Sequence, residues 1–216
     1  MQLPDYIDRY CWLVLEGPRL GSQWVKTISE IKQIREIDEG DMIPTIIVPG
    51  FTASNASTYF MRRILNSKNH CTHVWIEARN LGFNPTAIKN TVSQVKHLSD
   101  TTQSRINLVG QSLGGCYIRA VANEIPDYIN TVVTFGSPIT GIDMVSEVSV
   151  RKYNSIVGVV DAAMLHHAEY YDKFYPNPPC PTSSLYSKDD GIVSWPLSVI
   201  EESELSENVE IRGSHF

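Results

Sequence analysis

Short runs of Val, Ile and Leu, each closed by turn-forming residues and separated by stretches of helical period, recur along the chain from residue 45 onward. They read as strands at 45–51 (TIIVPGF), 72–78 (THVWIEA), 105–110 (RINLVG), 129–136 (INTVVTFG), 182–187 (TSSLYS) and 208–212 (NVEIR). Helices are expected at 57–65, 85–98 and 113–124. Strands alternating with helices fold as a mainly parallel sheet covered by crossover helices. The continuous Val/Ile content of the central runs implies burial on both faces.

Two regions depart from this rhythm. The first forty residues read as two amphipathic helices, with Tyr6, Tyr10 and Val14 in one apolar row and Ile28, Ile31 and Ile34 in another. Docking against the sheet is the plainer expectation. Contact with a membrane surface is the sharper one, opposed by polar faces that are acidic as often as basic. Between Gly136 and Thr182 the connection is longer than an ordinary loop and mixes aromatics and small apolar residues with a Pro-rich exit. It is expected to be a helical cap, at approximately 139–181, inserted in a single domain spanning 1–216.

Composition narrows the function. A chain of 216 residues, 42% hydrophobic, suits one domain with a sizeable core. The net charge of -6 and the lack of a Lys/Arg cluster exclude a nucleic-acid partner. Cys11, Cys71, Cys116 and Cys180 are scattered without a CxxC pair, so neither a metal site nor a disulfide framework is expected. No phosphate-cradling GxxxxGK[ST] or GxGxxG loop occurs, and no cofactor is expected. The N-terminal apolar run, set among Asp5, Asp8 and Glu16, is too short for a secretory or spanning segment, so a cytoplasmic location is expected.

The chemistry concentrates in NLVGQSLGG, residues 107–115. A strand ends there and a helix begins, so Ser112 occupies the tight turn between them as the serine of a G-x-S-x-G nucleophile elbow. Gly110 and Gly114 remove side chains that would collide as the turn tightens, and the helix N-terminus faces any oxyanion formed at the hydroxyl. A serine hydroxyl needs a base and an orienting carboxylate, which in the fold built around such an elbow follow it in the order acid, then histidine.

His215 directly follows the last expected strand and is the candidate base; the alternative is a solvent-exposed chain terminus. His166 and His167 fall in the cap, while His70, His73 and His97 precede the serine. The acid should follow the strand TSSLYS. Asp190, before the reversing Gly191, is preferred there, and Asp189 is its rival; Asp143, Asp161 and Asp172 lie in the insertion. Gly50 would let the backbone bend toward the serine, leaving the Phe51 amide to pair with that of Leu113 as the two oxyanion donors. A plain strand-end Pro-Gly turn is the alternative there.

The ordered blocks IIVPGFTASNASTYFMRRIL, ARNLG, NLVGQSLGGCYIRAVA, VVTFGSPITG, YSKDDGIVSW and NVEIRGSHF together resemble a group of bacterial α/β-hydrolases of the esterase and lipase kind, over most of the chain from about Thr45 onward. The resemblance implies the α/β-hydrolase fold, with Ser112 as nucleophile, Asp190 as acid and His215 as base. It also implies hydrolysis of a small-molecule or lipid ester through an acyl-enzyme. The same residues would serve an acyltransferase, and a degenerate binding module is the reading from a different class. Relatives continue past the GSH block into a small-residue loop and a final helix, whereas here His215 stands one residue from the end, where fraying is expected.

Overall fold

The structure, a computed structural model, describes residues 38–82, 84–140 and 173–215. Its strands are β1 (Pro44–Val48), β2 (Cys71–Val74), β3 (Ile106–Gln111), β4 (Ile129–Phe135), β5 (Thr182–Tyr186) and β6 (Ser206–Glu210). Its helices are α1 (Tyr59–Asn66), α2 (Pro85–Thr102) and α3 (Leu113–Glu124). The strands form one sheet in the order β2-β1-β3-β4-β5-β6, and every pairing is parallel. Ile46 of β1 sits opposite Leu108 of β3, which sits opposite Val132 of β4, and all three are fully buried. Of the central runs, β1 meets the expectation of burial on both faces, with all five residues buried, whereas β3 and β4 alternate buried with half-buried positions.

The two largest differences from the expected boundaries are at the ends of β2 and α2, each four residues away. β2 stops at Val74 rather than continuing to residue 78, because side-chain amides take over the backbone partners of the following residues. Asn55 accepts from Trp75 N–H and donates to the Trp75 and Glu77 carbonyls, while Gln94 accepts from Ile76 N–H and donates to the Val74 carbonyl. α2 starts as expected, on an Asn84 cap whose side chain accepts from Thr86 N–H with Pro85 next to it. It runs past residue 98 to Thr102, where the hydroxyls of Thr101 and Thr102 bond back to the His97 and Leu98 carbonyls. These hydroxyls thus supply local partners to the last turn. Gln103, left-handed at φ 54°, ends it.

α3 is the central helix: Leu113 to Ala122 are all buried. Its Tyr117 ring meets Trp75 edge-on at 5.3 Å, and the Tyr117 hydroxyl donates to the Gly82 carbonyl while accepting from Asn84 N–H. One residue earlier, Cys116 is so enclosed that burial pushes its thiol up to about 12. Arg119 is also fully buried. Its guanidinium donates to the carbonyls of Phe174, Tyr175 and Pro176 and to the Asn177 side chain, which fastens the chain leading into β5 onto α3. That desolvation lowers the Arg119 pKa to about 10.

The two N-terminal helices expected from the sequence lie outside the described residues, as do residues 141–172 of the expected cap. The described ends of that insertion are packed, with Ile139 and Phe174 each buried to 1% exposure. No helix among the described residues is long and apolar enough to cross a membrane. Cys71, Cys116 and Cys180 are free thiols.

The strand order positions the site. From β1 the chain moves outward to β2 and then returns to the other side of β1 to make β3, so the connections after β1 and β3 leave in opposite directions. A parallel sheet opens a crevice at the carboxyl ends of such a pair. There, β1 runs into Pro49-Gly50-Phe51 and β3 runs into Ser112.

Candidate active site

Ser112 sits between the last residue of β3 and the first of α3, at φ 51° and ψ -124°. A non-glycine residue in this region carries strain, and such strain gathers at functional sites. The turn can be this tight because of its glycines: a Cβ on Gly110 would stand 2.6 Å from the backbone of Gly114 and Gly115. A Cβ on Gly114 would come within 2.7 Å of the Pro49 carbonyl oxygen, so the first turn of α3 is pressed against the exit of β1. Ser112 N–H donates to Phe135 O at 2.9 Å, and Gly115 N–H donates to Ser112 O at 2.9 Å.

The loop after β1 is held beside the serine. A Cβ on Gly50 would lie 3.2 Å from Ser112 Cβ. The fully buried Asn80 anchors this loop, donating from Nδ2 to Pro49 O at 2.9 Å while its backbone bonds Thr52 and Ala53. Leu113 N–H, at the first position of α3, has no acceptor within its own helix. The amides of Phe51 and Leu113 therefore belong to the two chain segments that meet at Ser112.

Asp190 and His215 are joined directly, Nδ1 to Oδ2 at 2.7 Å, with side chains only 4% and 3% exposed. The second carboxylate oxygen, Oδ1, accepts from the N–H groups of Ile192 and Val193, both at 2.8 Å. Asp190 is thus fixed by two amides before it touches the imidazole. A carboxylate facing Nδ1 makes that nitrogen the protonated one and leaves Nε2 as the acceptor. Asp189, the rival, is exposed at the surface of the same turn.

Ser112 connects to this pair through its neighbours. Gly136 follows Phe135, the residue that accepts the Ser112 amide, and a Cβ on Gly136 would lie 3.1 Å from Asp190 Oδ2 and 3.2 Å from His215 Nδ1. Gly136 has φ +55°, so a side chain there would be strained as well as crowded. From the other side of the serine, Gln111 donates from Nε2 to the His215 carbonyl at 3.3 Å. Near as it is to the end, His215 is buried and tied by its ring and its carbonyl.

The other candidates lie elsewhere. His70 precedes β2 and His73 lies within it, opposite Ile46 of β1, while His97 is exposed on α2. Residues 143, 161, 166, 167 and 172 fall outside the described residues. Three contributors were not singled out from the sequence: Asn80, Gln111 and Ser187, whose hydroxyl donates to Gly213 O at 2.6 Å. Asn80 lies in the ARNLG block, and Gln111 is the unspecified position of the elbow motif. Neither carries a periodic or turn signal of its own.

A family model described as palmitoyl protein thioesterase matches residues 44–183, well over half of the chain. The chain belongs to this family. The matched span runs from the start of β1 into β5 and includes the elbow; Asp190 and His215 lie beyond it.

A sequence comparison with curated proteins gives no match. Among solved structures, the chain is similar to a monoacylglycerol lipase from Paleococcus ferrophilus at TM-score 0.56 and 12% identity, covering 83% of this chain and 88% of that one. It is also similar to Est1E from Butyrivibrio proteoclasticus, solved with ferulic acid bound, at TM-score 0.57 and 14% identity, covering 80% and 81%. A lipase-esterase related protein from Clostridium acetobutylicum matches at TM-score 0.54 and 15% identity, covering 83% and 90%. At these identities the likeness is one of fold. Together with the family match, it establishes the α/β-hydrolase fold that the sequence blocks resemble.

Proposed function

We propose that this member of the palmitoyl protein thioesterase family is a serine hydrolase that cleaves carboxylic esters of apolar acyl groups through an acyl-enzyme on Ser112. His215 Nε2 takes the Ser112 proton as the oxygen attacks the substrate carbonyl, and Asp190 keeps the imidazole in that tautomer and balances the imidazolium charge. The amides of Phe51 and Leu113 donate to the tetrahedral oxyanion. The imidazolium then gives its proton to the departing alcohol, and water repeats the sequence to release the acid.

The observation that carries this reading is the buried Asp190–His215 pair, joined at 2.7 Å and separated only by Gly136 from the residue that holds the Ser112 amide. A charge-capable pair is costly to bury unless its polar atoms are satisfied. Here the carboxylate accepts two amides besides the imidazole, an arrangement suited to holding a base rather than merely filling space.

The family match favours a second substrate for the same machinery, an acyl thioester. A thiol leaves more readily than an alcohol and asks less of the protonated imidazole, so one site can serve both.

The test is hydrolysis of matched p-nitrophenyl esters and acyl thioesters by the wild type and Ser112→Ala. The variant should lose turnover of both by ~10⁶-fold, the scale seen when a triad serine is removed. Stoichiometric labelling of Ser112 by a fluorophosphonate supports an activated hydroxyl. Hydrolysis retained in the variant, or no labelling of the wild type, rejects the reading.

A further inference from the structure

We infer that Gln111 is a positioning residue for His215, acting with Ser187 to strap the 213–215 loop to the rim of the sheet; this rests on the reading of His215 as the base. The imidazole has a demanding task, since Nε2 must stand within about 2.6–3.2 Å of the hydroxyl it deprotonates. The Asp190 carboxylate grips the ring at Nδ1 alone, and one hydrogen bond restrains neither the backbone behind the ring nor rotation about the bond itself.

The backbone is restrained separately. Ile211 N–H makes a sheet bond to Tyr186 O at 2.8 Å, and beyond it the chain leaves the sheet. Two carbonyls of the departing loop then accept side-chain donors: Gly213 O from Ser187 Oγ at 2.6 Å, and His215 O from Gln111 Nε2 at 3.3 Å. Gly213 itself takes φ 146°, a conformation with little intrinsic preference for keeping this path.

Each strap connects the base to another part of the site. Ser187 Oγ also accepts from Asp189 N–H at 3.1 Å, so one hydroxyl joins the turn that bears Asp190 to the loop that bears His215. Gln111 is the last residue of β3 and the immediate neighbour of Ser112. Its backbone belongs to the sheet, and its side chain passes beside Gly50, where an added Cβ would lie 3.8 Å from Gln111 Cγ. The nucleophile's own strand thereby sets the position of the base 104 residues away.

A donor on a stem of this length is what the position requires. Glutamate would set a carboxylate against a carbonyl oxygen. Methionine fills similar space but donates nothing, whereas lysine keeps a donor.

The experiment compares wild type, Gln111→Met and Gln111→Lys, with Ser112→Ala as reference, in p-nitrophenyl ester hydrolysis. Turnover is normalised to sites titrated by a fluorophosphonate, so that any misfolded fraction drops out. Gln111→Met should lower kcat by about 10- to 10²-fold with KM changed by about twofold or less, since a displacement near 1 Å can cost 10²-fold. Gln111→Lys should recover most of that loss. A Met variant with wild-type kcat, or a Lys variant no better than Met, overturns the strap while inactive Ser112→Ala leaves the catalytic reading standing. An active Ser112→Ala overturns the catalytic reading, and this inference with it.

Discussion

Ser112 and its glycines come from nine contiguous residues, 107–115, whereas Asp190 and His215 are drawn from separate loops 25 residues apart and meet at 2.7 Å. On the elbow side the geometry is a property of one strand-turn-helix unit: φ 51° at the serine, with glycines wherever a Cβ would strike backbone. On the acid–base side almost nothing is local. Asp190 is oriented by the amides two and three residues ahead of it, but His215 depends on Asp190, Gln111 and the Ser187 bond to Gly213. The contrast teaches that a serine can be set on its turn by steric exclusion, whereas a histidine drawn from a distant loop must be held in place by bonds from elsewhere.

The comparison can be broken hardest on the acid–base side. Asp190→Asn should lower turnover by ~10⁴-fold, because an amide facing Nδ1 no longer selects the tautomer that leaves Nε2 free. Asp189→Asn, changing an exposed neighbour, should stay near wild type. A large loss in Asp189→Asn with little in Asp190→Asn would transfer the acid role.

The elbow should fail by a different route. Gly114→Ala puts a Cβ 2.7 Å from the Pro49 carbonyl oxygen, a backbone atom that cannot swing away. Replacing Gly by Ala inside an ordinary helix gains up to ~1 kcal/mol. Here the sign should reverse, with a stability loss of about 1–3 kcal/mol from overpacking. Activity should fall with it, as Ser112 and the Phe51 loop are forced apart. Denaturant unfolding that shows Gly114→Ala to be more stable than wild type would refute the close approach.

The effect confined to alkaline pH concerns the helix that carries the elbow. Burial raises the Cys116 thiol from near 9 to about 12. Because the folded value lies above the unfolded one, the contribution to stability is complete below pH 9 and is lost progressively as pH rises toward 12. Within that window each such thiol adds a slope of about 1.4 kcal/mol per pH unit. Cys180, also raised by burial, should act in the same direction. Cys116→Ala should therefore flatten part of the alkaline fall in melting temperature, and an unchanged profile would count against the burial of this thiol.

Much of the architecture could be read from local pattern, and the exceptions are instructive. The helix expected at 113–124 forms with those bounds because its apolar content and preceding glycines act within a few residues. The strand expected to reach residue 78 ends at Val74 because Asn55 and Gln94, 20 residues away on either side in sequence, claim the backbone groups that follow. Asn80 was silent for the same reason. A buried asparagine in an irregular stretch has no periodicity, and its partner Pro49 is 31 residues distant.

By itself, then, the order of residues determined a parallel sheet with crossover helices, a serine on a strained turn, and an aspartate before a glycine where a carboxylate could turn inward. These are short-range consequences of side-chain volume, apolar period and backbone freedom. Only the tertiary structure decided that Asn80 fixes the loop beside that serine, and that His215 is buried against Asp190 with Gln111 and Ser187 behind it. Those bonds exist because the sheet order sets the ends of β1, β3, β4 and β5 side by side, and the sequence distances they bridge leave no local trace of the pairing.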